Sequence, residues 1–437
     1  MYFAPAKTPK DIHIDHMSSD KSISHRAAII AAMSDVSTQP TRIKEYLQSE
    51  DTFATVNALR KLGVDAEFDD NNDLLVHGVG LHGIQNDAVI DVGNSGTLMR
   101  LLTGWLIGQK GRKFVLDGDE SIRSRPMNRI IEPLNEMCIN GGITSNNGYA
   151  PLTIIGGDLK GIRYTSTINS SQVKSAILLA SLMADSPTLI NINRLTRSHT
   201  EDLLCKSGVS LSIRPHAILS EGRAEALHFP KTFSVPNDIS SAAFLMTAAV
   251  LTNKNFYFKN VSSDIARLGF IKWLTAIGRP VFHNHLPTRS RIMNIDLDQK
   301  FCAQSLQASK ITTDITPSLI DELPLVALIA CFAKGRTQVT GASELRFKES
   351  DRISAIVEEL SELGADIEEL EDGFVVNGKG YLEGGEMDSR GDHRIAMMGA
   401  IAGLASEEGV KVKNFDAYKV SYPTFLDDLE EFGLINS

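Results

Sequence analysis

Leu59-Arg60-Lys61-Leu62-Gly63-Val64-Asp65-Ala66-Glu67-Phe68, then Asp69-Asp70-Asn71-Asn72-Asp73, then Leu74-Leu75-Val76-His77-Gly78, is the stretch that decides the fold. A second stretch repeats it: Leu360-Ser361-Glu362-Leu363-Gly364-Ala365-Asp366-Ile367-Glu368-Glu369-Leu370, then Glu371-Asp372-Gly373, then Phe374-Val375-Val376-Asn377-Gly378. Each reads as a helix stopped by a left-handed glycine, a strand, a polar turn and a second strand. Weaker copies place their helix-ending glycines at Gly141, Gly208 and Gly278, and a truncated one ends at Gly433. The spacing exceeds any common solenoid period. The segments between copies carry further apolar helices, such as 27–33 and 175–183. A unit of two helices and several strands is therefore expected, six times over, three per domain. Breaks are read at Ser18-Ser19-Asp20 and at Pro236-Asn237-Asp238, where Asp238 caps an apolar helix.

A chain of 437 residues is too long for one ordinary core, which also points to two domains. Hydrophobic residues make up 42% and charged residues 22%, a globular balance. The net charge of -10 argues against a general affinity for nucleic acid or acidic membranes. Cys138, Cys205, Cys302 and Cys331 lie far apart, so neither a disulfide framework nor a zinc site is expected. The first residues lack a basic stretch followed by an apolar one, so no signal peptide is read and a cytoplasmic location is expected. The most apolar run, 323–333, suits a buried helix and is too short to span a membrane.

The chemistry lies at the helix starts. Lys21-Ser22-Ile23-Ser24-His25-Arg26 opens one apolar helix, and Asn94-Ser95-Gly96-Thr97-Leu98-Met99-Arg100 opens another. Arg125 and Arg129 precede Ile130-Ile131, and Ser170-Ser171-Gln172-Val173-Lys174 precedes Ser175-Ala176-Ile177. Lys348-Glu349-Ser350-Asp351-Arg352 and Asp392-His393-Arg394 open two more. The helix dipole disfavours cations at this end. A bound anion reverses the preference, because free N–H groups and nearby cations then act on one negative charge. Six such starts imply a ligand with several phosphate or carboxylate groups. Asp20-Lys21-Ser22 lacks the preceding glycines of a P-loop, and no dinucleotide fingerprint occurs.

These elements, with Ser49-Glu50-Asp51, Arg125-Pro126-Met127, Asp321-Glu322-Leu323-Pro324 and Lys419 before Tyr422-Pro423, resemble the EPSP synthase family in order, spacing and type. The resemblance covers nearly the whole chain. It implies an α/β fold of two inside-out α/β barrel domains, each with three βαβαββ repeats. Residues 1–19 and 238–437 would form one discontinuous enolpyruvyl transferase domain, and 20–237 the second. The implied reaction moves the 1-carboxyvinyl group of phosphoenolpyruvate (PEP) to the 5-hydroxyl of shikimate 3-phosphate, releasing phosphate. No metal or organic cofactor is implied, and the expected state is a monomer.

Residue by residue, the resemblance implies shikimate 3-phosphate contacts at Lys21, Ser22, Arg26, Ser170, Ser171, Gln172, Arg197, Asp321 and Lys348. It implies PEP contacts at Lys21, Asn94, Gly96, Arg125, Gln172, Arg352, Arg394 and Lys419. Asp321, Glu349, Lys21 and Lys419 would be catalytic, with Asp321 the candidate base for the 5-hydroxyl. Read from the residues alone, Asp321 and Glu322 also suit an N-cap pair before Leu323, and Ser198 to Glu201 suits a capping box. His25 and His393 suit satisfied structural histidines. Ser18-Ser19 stands where the family usually has Pro-Gly, and Leu98 and Leu101 depart from common residues beside the PEP pocket. The sister activity, UDP-N-acetylglucosamine enolpyruvyl transfer, would call for a cysteine in 118–125, which has none; Cys138 is expected inside an apolar helix. An RNA 3'-phosphate cyclase is disfavoured by charge. A non-catalytic shikimate 3-phosphate binder has no need of Asp321, Glu349 and Lys419 together.

Overall fold

The structure, a computed structural model, describes residues 1–37, 39–166, 168, 170–285 and 292–435. The chain divides into two compact units, Lys21–Val235 and Met1–Asp20 with Pro236–Ser437.

One strand pattern recurs in both. An edge strand runs parallel to its neighbour, which pairs antiparallel with a third, which pairs antiparallel with a fourth. In the unit Lys21–Val235 three four-stranded sheets run Thr232–Ser234, Thr41–Lys44, Leu74–Val76, Ala66–Phe68; then Ala88–Asp91, Lys113–Asp117, Tyr149–Ile155, Gly142–Asn146; then Arg163–Thr165, Thr188–Asn191, Ala217–Ser220, Leu211–Arg214, beside a two-stranded sheet of Asp158–Leu159 and Cys138–Ile139. In the other unit they run Ile12–Ile14, Phe256–Ser262, Ile292–Leu297, Phe282–His285; then Lys310–Ile311, Gly335–Val339, Gly373–Gly378, Ile367–Leu370; and a three-stranded Gly385–Asp388, Val410–Lys413, Tyr2–Phe3. Among the described residues no sheet closes on itself, so the expected barrel is an open assembly of separate sheets.

A parallel pair cannot be joined by a tight turn, and a helix makes the crossover. Gly96–Leu106, Ser171–Ser181, Leu323–Cys331 and His393–Ala405 each connect such a pair, and Lys21–Ala32 and Ile239–Leu251 hold the equivalent places. These inner helices are buried on nearly every side: all nine residues of Leu323–Cys331 are, and all but one of Ile239–Leu251. Helices apolar all round must lie inside a core. Those of each unit pack on one another. Gly104 permits this closely, since a Cβ there would stand 2.3 Å from the Ala176 carbonyl oxygen. The helices that follow the second strand, such as Glu50–Lys61 and Arg352–Glu362, instead show one apolar face and one exposed face.

The glycine signal holds for Gly63, Gly208, Gly278, Gly364 and Gly433, all at positive φ. It fails for Gly141. There the helix ends early, at Met137, and Asn140 takes the left-handed turn. Gly141 is needed for a different reason: a Cβ would lie 2.4 Å from the Ile155 carbonyl oxygen. Cys138 is likewise not in a helix but begins the short strand Cys138–Ile139.

The two sequence breaks lie side by side. Ser19 bridges Asn237, Asp20 N donates to the Pro236 carbonyl at 2.8 Å, and Asp238 N donates to that of Ser18 at 3.0 Å. The Asn237 amide also donates to the carbonyls of Asp15 and Lys259.

Two stability predictions follow from these elements. Gly63→Ala, at φ +85° with open space around it, is expected to lose about 1–2 kcal/mol, the usual cost of an L side chain in left-handed backbone, read as a lower urea midpoint. Burial pushes the Asp428 carboxyl up to about 6, although it accepts a 2.6 Å hydrogen bond from the buried Tyr422 hydroxyl. A raised acid holds its proton more tightly when folded, so it costs stability as pH rises from about 4 to about 6. Across that window the parent protein is expected to lose ground, in urea midpoint, relative to Asp428→Asn.

Candidate active site

In the unit Lys21–Val235, the expected residues gather at three inner-helix starts. Gly96 opens the helix Gly96–Leu106 behind its cap Ser95, whose hydroxyl accepts from Leu98 N. A Cβ on Gly96 would meet Arg100 Nη1 at 2.9 Å and Arg125 Nη1 at 3.1 Å, so glycine lets two guanidinium groups approach one helix N-terminus. Arg125 Nη2 donates to Asn94 Oδ1 at 2.7 Å, and Asn94 Nδ2 donates to Asp119 at 2.7 Å. Arg100 donates to Gln172 Oε1, while Gln172 Nε2 donates to Thr97 at 2.9 Å. Asn94, Gly96, Arg125 and Gln172 thus form one network. Arg100, read from the sequence as one of the helix-start cations but not carried over as a substrate contact, belongs to it as well.

Lys21 stands at the start of Lys21–Ala32, paired with Asp51 at 2.8 Å and little exposed. Arg26, one turn on, is buried. It donates to the Ser22 carbonyl and hydroxyl and to the hydroxyls of Ser175 and Thr200, joining three helices. His25 is also buried, with Nδ1 against the Thr55 hydroxyl at 2.6 Å and Nε2 3.4 Å from that of Ser95. Burial, then Lys21 and Arg26, hold its pKa far down, so it stays neutral.

Ser170 stands at the N-cap position of the helix Ser171–Ser181, without a capping hydrogen bond from its side chain. Lys174, read from the sequence as one of the anion-facing cations, turns inward. It is buried in an ion pair with Glu201 and donates to the Arg197 carbonyl at 2.9 Å. The expected capping box at Ser198 gives way to this arrangement, because Glu201 is spent on Lys174 and Ser198 donates to Asp202 at 2.9 Å. Lys174 thereby ties the segment carrying Arg197 to the helix start carrying Ser171 and Gln172. Arg125 also departs from expectation: it follows the short helix Glu120–Ser124 rather than opening the next one.

In the other unit the centre is Asp321, on the 3-10 turn Ile320–Glu322, buried among cations. Lys348 Nζ lies 3.4 Å from its carboxylate, Arg352 Nη1 3.7 Å and Arg394 Nη2 4.0 Å, and Arg394 also donates to the Asp321 carbonyl at 2.9 Å. Arg352 opens its helix from a fully buried position, held by Asp392 at 2.7 Å and by Glu349. Burial works against its charge, but Asp392 and Glu349 outweigh it and push its pKa up. Asp392 in turn caps the helix His393–Ala405 through Arg394 N. Asp321, Lys348, Glu349, Arg352 and Arg394 are therefore one cluster. Lys419 lies in the turn Phe415–Val420, half exposed, with its ammonium on Asp416 at 2.7 Å.

Asp321 and Glu322 do not act as a cap pair. Glu322 points into a buried cluster and accepts from the Ser240 hydroxyl. Among the described residues no group of three metal-type ligands occurs, and no helix is long and apolar enough to cross a membrane. Burial raises the Cys138 thiol, which leaves it a poor nucleophile.

Two helix-start clusters rich in arginine, lysine and carboxylates, on repeats of this kind, define a class that handles small polyanions. Residues 11–429 match the family model described as EPSP synthase (3-phosphoshikimate 1-carboxyvinyltransferase). The 3-phosphoshikimate 1-carboxyvinyltransferase of Bacillus pumilus is 40% identical over 418 residues, 95% of this chain and 96% of that protein. The protein of the same name from Persephonella marina is 39% identical, with 94% and 95% covered. A solved EPSP synthase structure from Acinetobacter baumannii superposes with a TM-score of 0.85 at 35% identity, covering 99% of this chain and 98% of that one. The chain belongs to the EPSP synthase family.

The Lys174–Glu201 pair offers a direct check on this unit. Lys174→Met strands a buried carboxylate and is expected to cost about 3–5 kcal/mol, whereas the double variant Lys174→Met/Glu201→Leu regains most of it. Urea unfolding of the three proteins measures both.

Proposed function

We propose that this chain transfers the 1-carboxyvinyl group of PEP to the 5-hydroxyl of shikimate 3-phosphate, giving 5-enolpyruvylshikimate 3-phosphate and phosphate. The observation that carries the reading is Asp321, a buried carboxylate within 4.0 Å of Lys348, Arg352 and Arg394. A carboxylate so placed can act as a general base and stands beside cations able to hold a substrate's negative charge.

The chemistry needs both features. Two polyanions must come together, and their repulsion in a low-dielectric site is offset only by fixed cations. Asp321 takes the proton of the 5-hydroxyl as its oxygen attacks C2 of PEP, and an acid protonates C3. The tetrahedral adduct then loses a C3 proton and the phosphate, which restores the double bond. Glu349 and Lys419 serve the C3 proton and the leaving phosphate. Lys21, Asn94, Gly96, Arg125, Gln172, Arg352, Arg394 and Lys419 hold PEP. Lys21, Ser22, Arg26, Ser170, Ser171, Gln172, Arg197, Asp321 and Lys348 hold shikimate 3-phosphate. The hydroxyl that Arg26 orders and the guanidinium that Gln172 holds support these roles. The units Met1–Asp20 with Pro236–Ser437, and Lys21–Val235, serve as the two enolpyruvyl transferase domains. The chain works as a monomer in the cytoplasm and needs no metal or organic cofactor.

Phosphate release from PEP is the test, with shikimate 3-phosphate and UDP-N-acetylglucosamine offered separately. Release only with shikimate 3-phosphate is expected, unchanged by a chelator. Release only with the UDP-sugar would overturn the acceptor, and silence with both from a folded protein would leave a binder. Lys21→Met and Asp321→Asn are each expected to lower turnover at least about a hundredfold, the scale of a lost electrostatic donor for Lys21 and of a lost general base for Asp321, while circular dichroism stays that of the parent.

A further inference from the structure

Behind the turn that carries Asp321 lies a buried polar cluster that the proposed mechanism does not use. Its centre is Arg267, whose side chain is 4% exposed. Arg267 Nη1 donates to Asp20 at 2.6 Å, and Nη2 donates to Asp238 at 3.0 Å and to the Ser240 hydroxyl. Ser240 in turn donates to Glu322, the residue next to Asp321. Asp20 is the last residue before the chain leaves this unit, and Asp238 caps the helix Ile239–Leu251 just after the chain returns. One guanidinium therefore binds both chain crossings and, through one hydroxyl, the turn holding the carboxylate.

The arrangement is costly for a scaffold alone. A buried arginine with carboxylates often contributes no more stability than apolar residues of the same volume, but it fixes geometry. What this one fixes is the far side of the Ile320–Glu322 turn. Arg394 holds the turn too: it donates to the Asp321 carbonyl and stands 4.0 Å from the Glu322 carboxylate. Two guanidinium groups therefore fix the turn, one of them through Ser240.

We infer that Arg267 is a positioning residue for the reaction, holding the Asp321 turn through Ser240 and Glu322 and keeping the field behind Asp321 from turning negative. The inference rests on the reading of Asp321 as the base. The charged groups facing Asp321 are Lys348, Arg352 and Arg394, with Glu349 and Asp392 held by Arg352, together with Arg267 and Glu322; burial raises the Glu322 carboxyl, and Arg394 approaches it at 4.0 Å. Burial works to lower the Arg267 pKa; Asp238, Asp20, Glu322 and Asp321 together raise it, so it stays charged. Attraction is mutual, so the same charge favours ionised Asp321. Without it, Asp20 and Asp238 would stand as buried like charges beside Glu322, and the Asp321 carboxyl would hold its proton to higher pH.

The experiment is kcat against pH at saturating PEP and shikimate 3-phosphate for the full chain. In Arg267→Gln the acid limb is expected to move up by about one pH unit, the scale of losing a neighbouring charge. Arg267→Lys is expected to return the limb to the parent position, because the charge is restored. Ser240→Ala, which removes one hydroxyl and no charge, is expected to lower kcat about tenfold with both KM values within about twofold, a loss of about 1.4 kcal/mol in the transition state only. An unmoved limb in a folded Arg267→Gln would overturn the inference. If that variant does not fold, parental kcat in Ser240→Ala would overturn it. Near-parental turnover in Asp321→Asn would remove the base and this inference together. Loss of turnover in Asp321→Asn with an unmoved limb in Arg267→Gln would remove the inference alone.

Discussion

Each inner helix is apolar on nearly all sides, and a helix of that kind is stable only where other elements cover its whole circumference. The rest of the structure depends on this. Three such helices per unit pack on one another, and the small open sheets then have one face to cover them and one to give to solvent. Alternation in Tyr149–Ile155, buried at every second position, is the imprint on the sheets. The narrow packing also explains glycines that no turn requires, Gly104 against Ala176 above all.

The same constraint makes the helix starts useful. Side chains along an inner helix are consumed by the core, so chemistry can only sit at its ends. At the N-terminal ends the unpaired N–H groups favour negative charge. Gly96, Lys21, Ser171 and Arg394 all occupy such ends. Cations placed there need counter-charges until a ligand arrives. Asp51 supplies one on Lys21, and at the start of the outer helix Arg352–Glu362 Asp392 and Glu349 do the same for Arg352. The carboxylates hold the cations in place without competing for the helix N–H groups, apart from Asp392 and Asp351, which cap as well.

Much of this was legible in the chain. The repeat was visible because a left-handed position after a helix nearly demands glycine, and a hairpin after it keeps short-range alternation. Five glycines obeyed. Gly141 misled because a glycine demanded by close packing looks the same in sequence as one demanded by φ. Likewise Ser198 to Glu201 has the spacing of a capping box, yet Glu201 is bound by Lys174, twenty-seven positions earlier, and the partner of a buried charge is not set by local spacing. Lys174 itself matched the pattern of an anion-facing cation. Its direction depended on which side of the helix met a carboxylate.

The sequence by itself determined the repeat, the two-unit division near Asp20 and Pro236, the family and the roster of candidate site residues, because these rest on periodicity, capping chemistry and motif spacing along one line. Only the tertiary structure decided which charges face one another. It gathered Lys348, Arg352 and Arg394 around Asp321, turned Lys174 inward, and set Arg267 behind the base turn with Asp20 and Asp238. The reason is physical: an ion pair is a matter of a few ångströms in space, and residues 20, 238, 267 and 322 come that close only after the inner helices have packed.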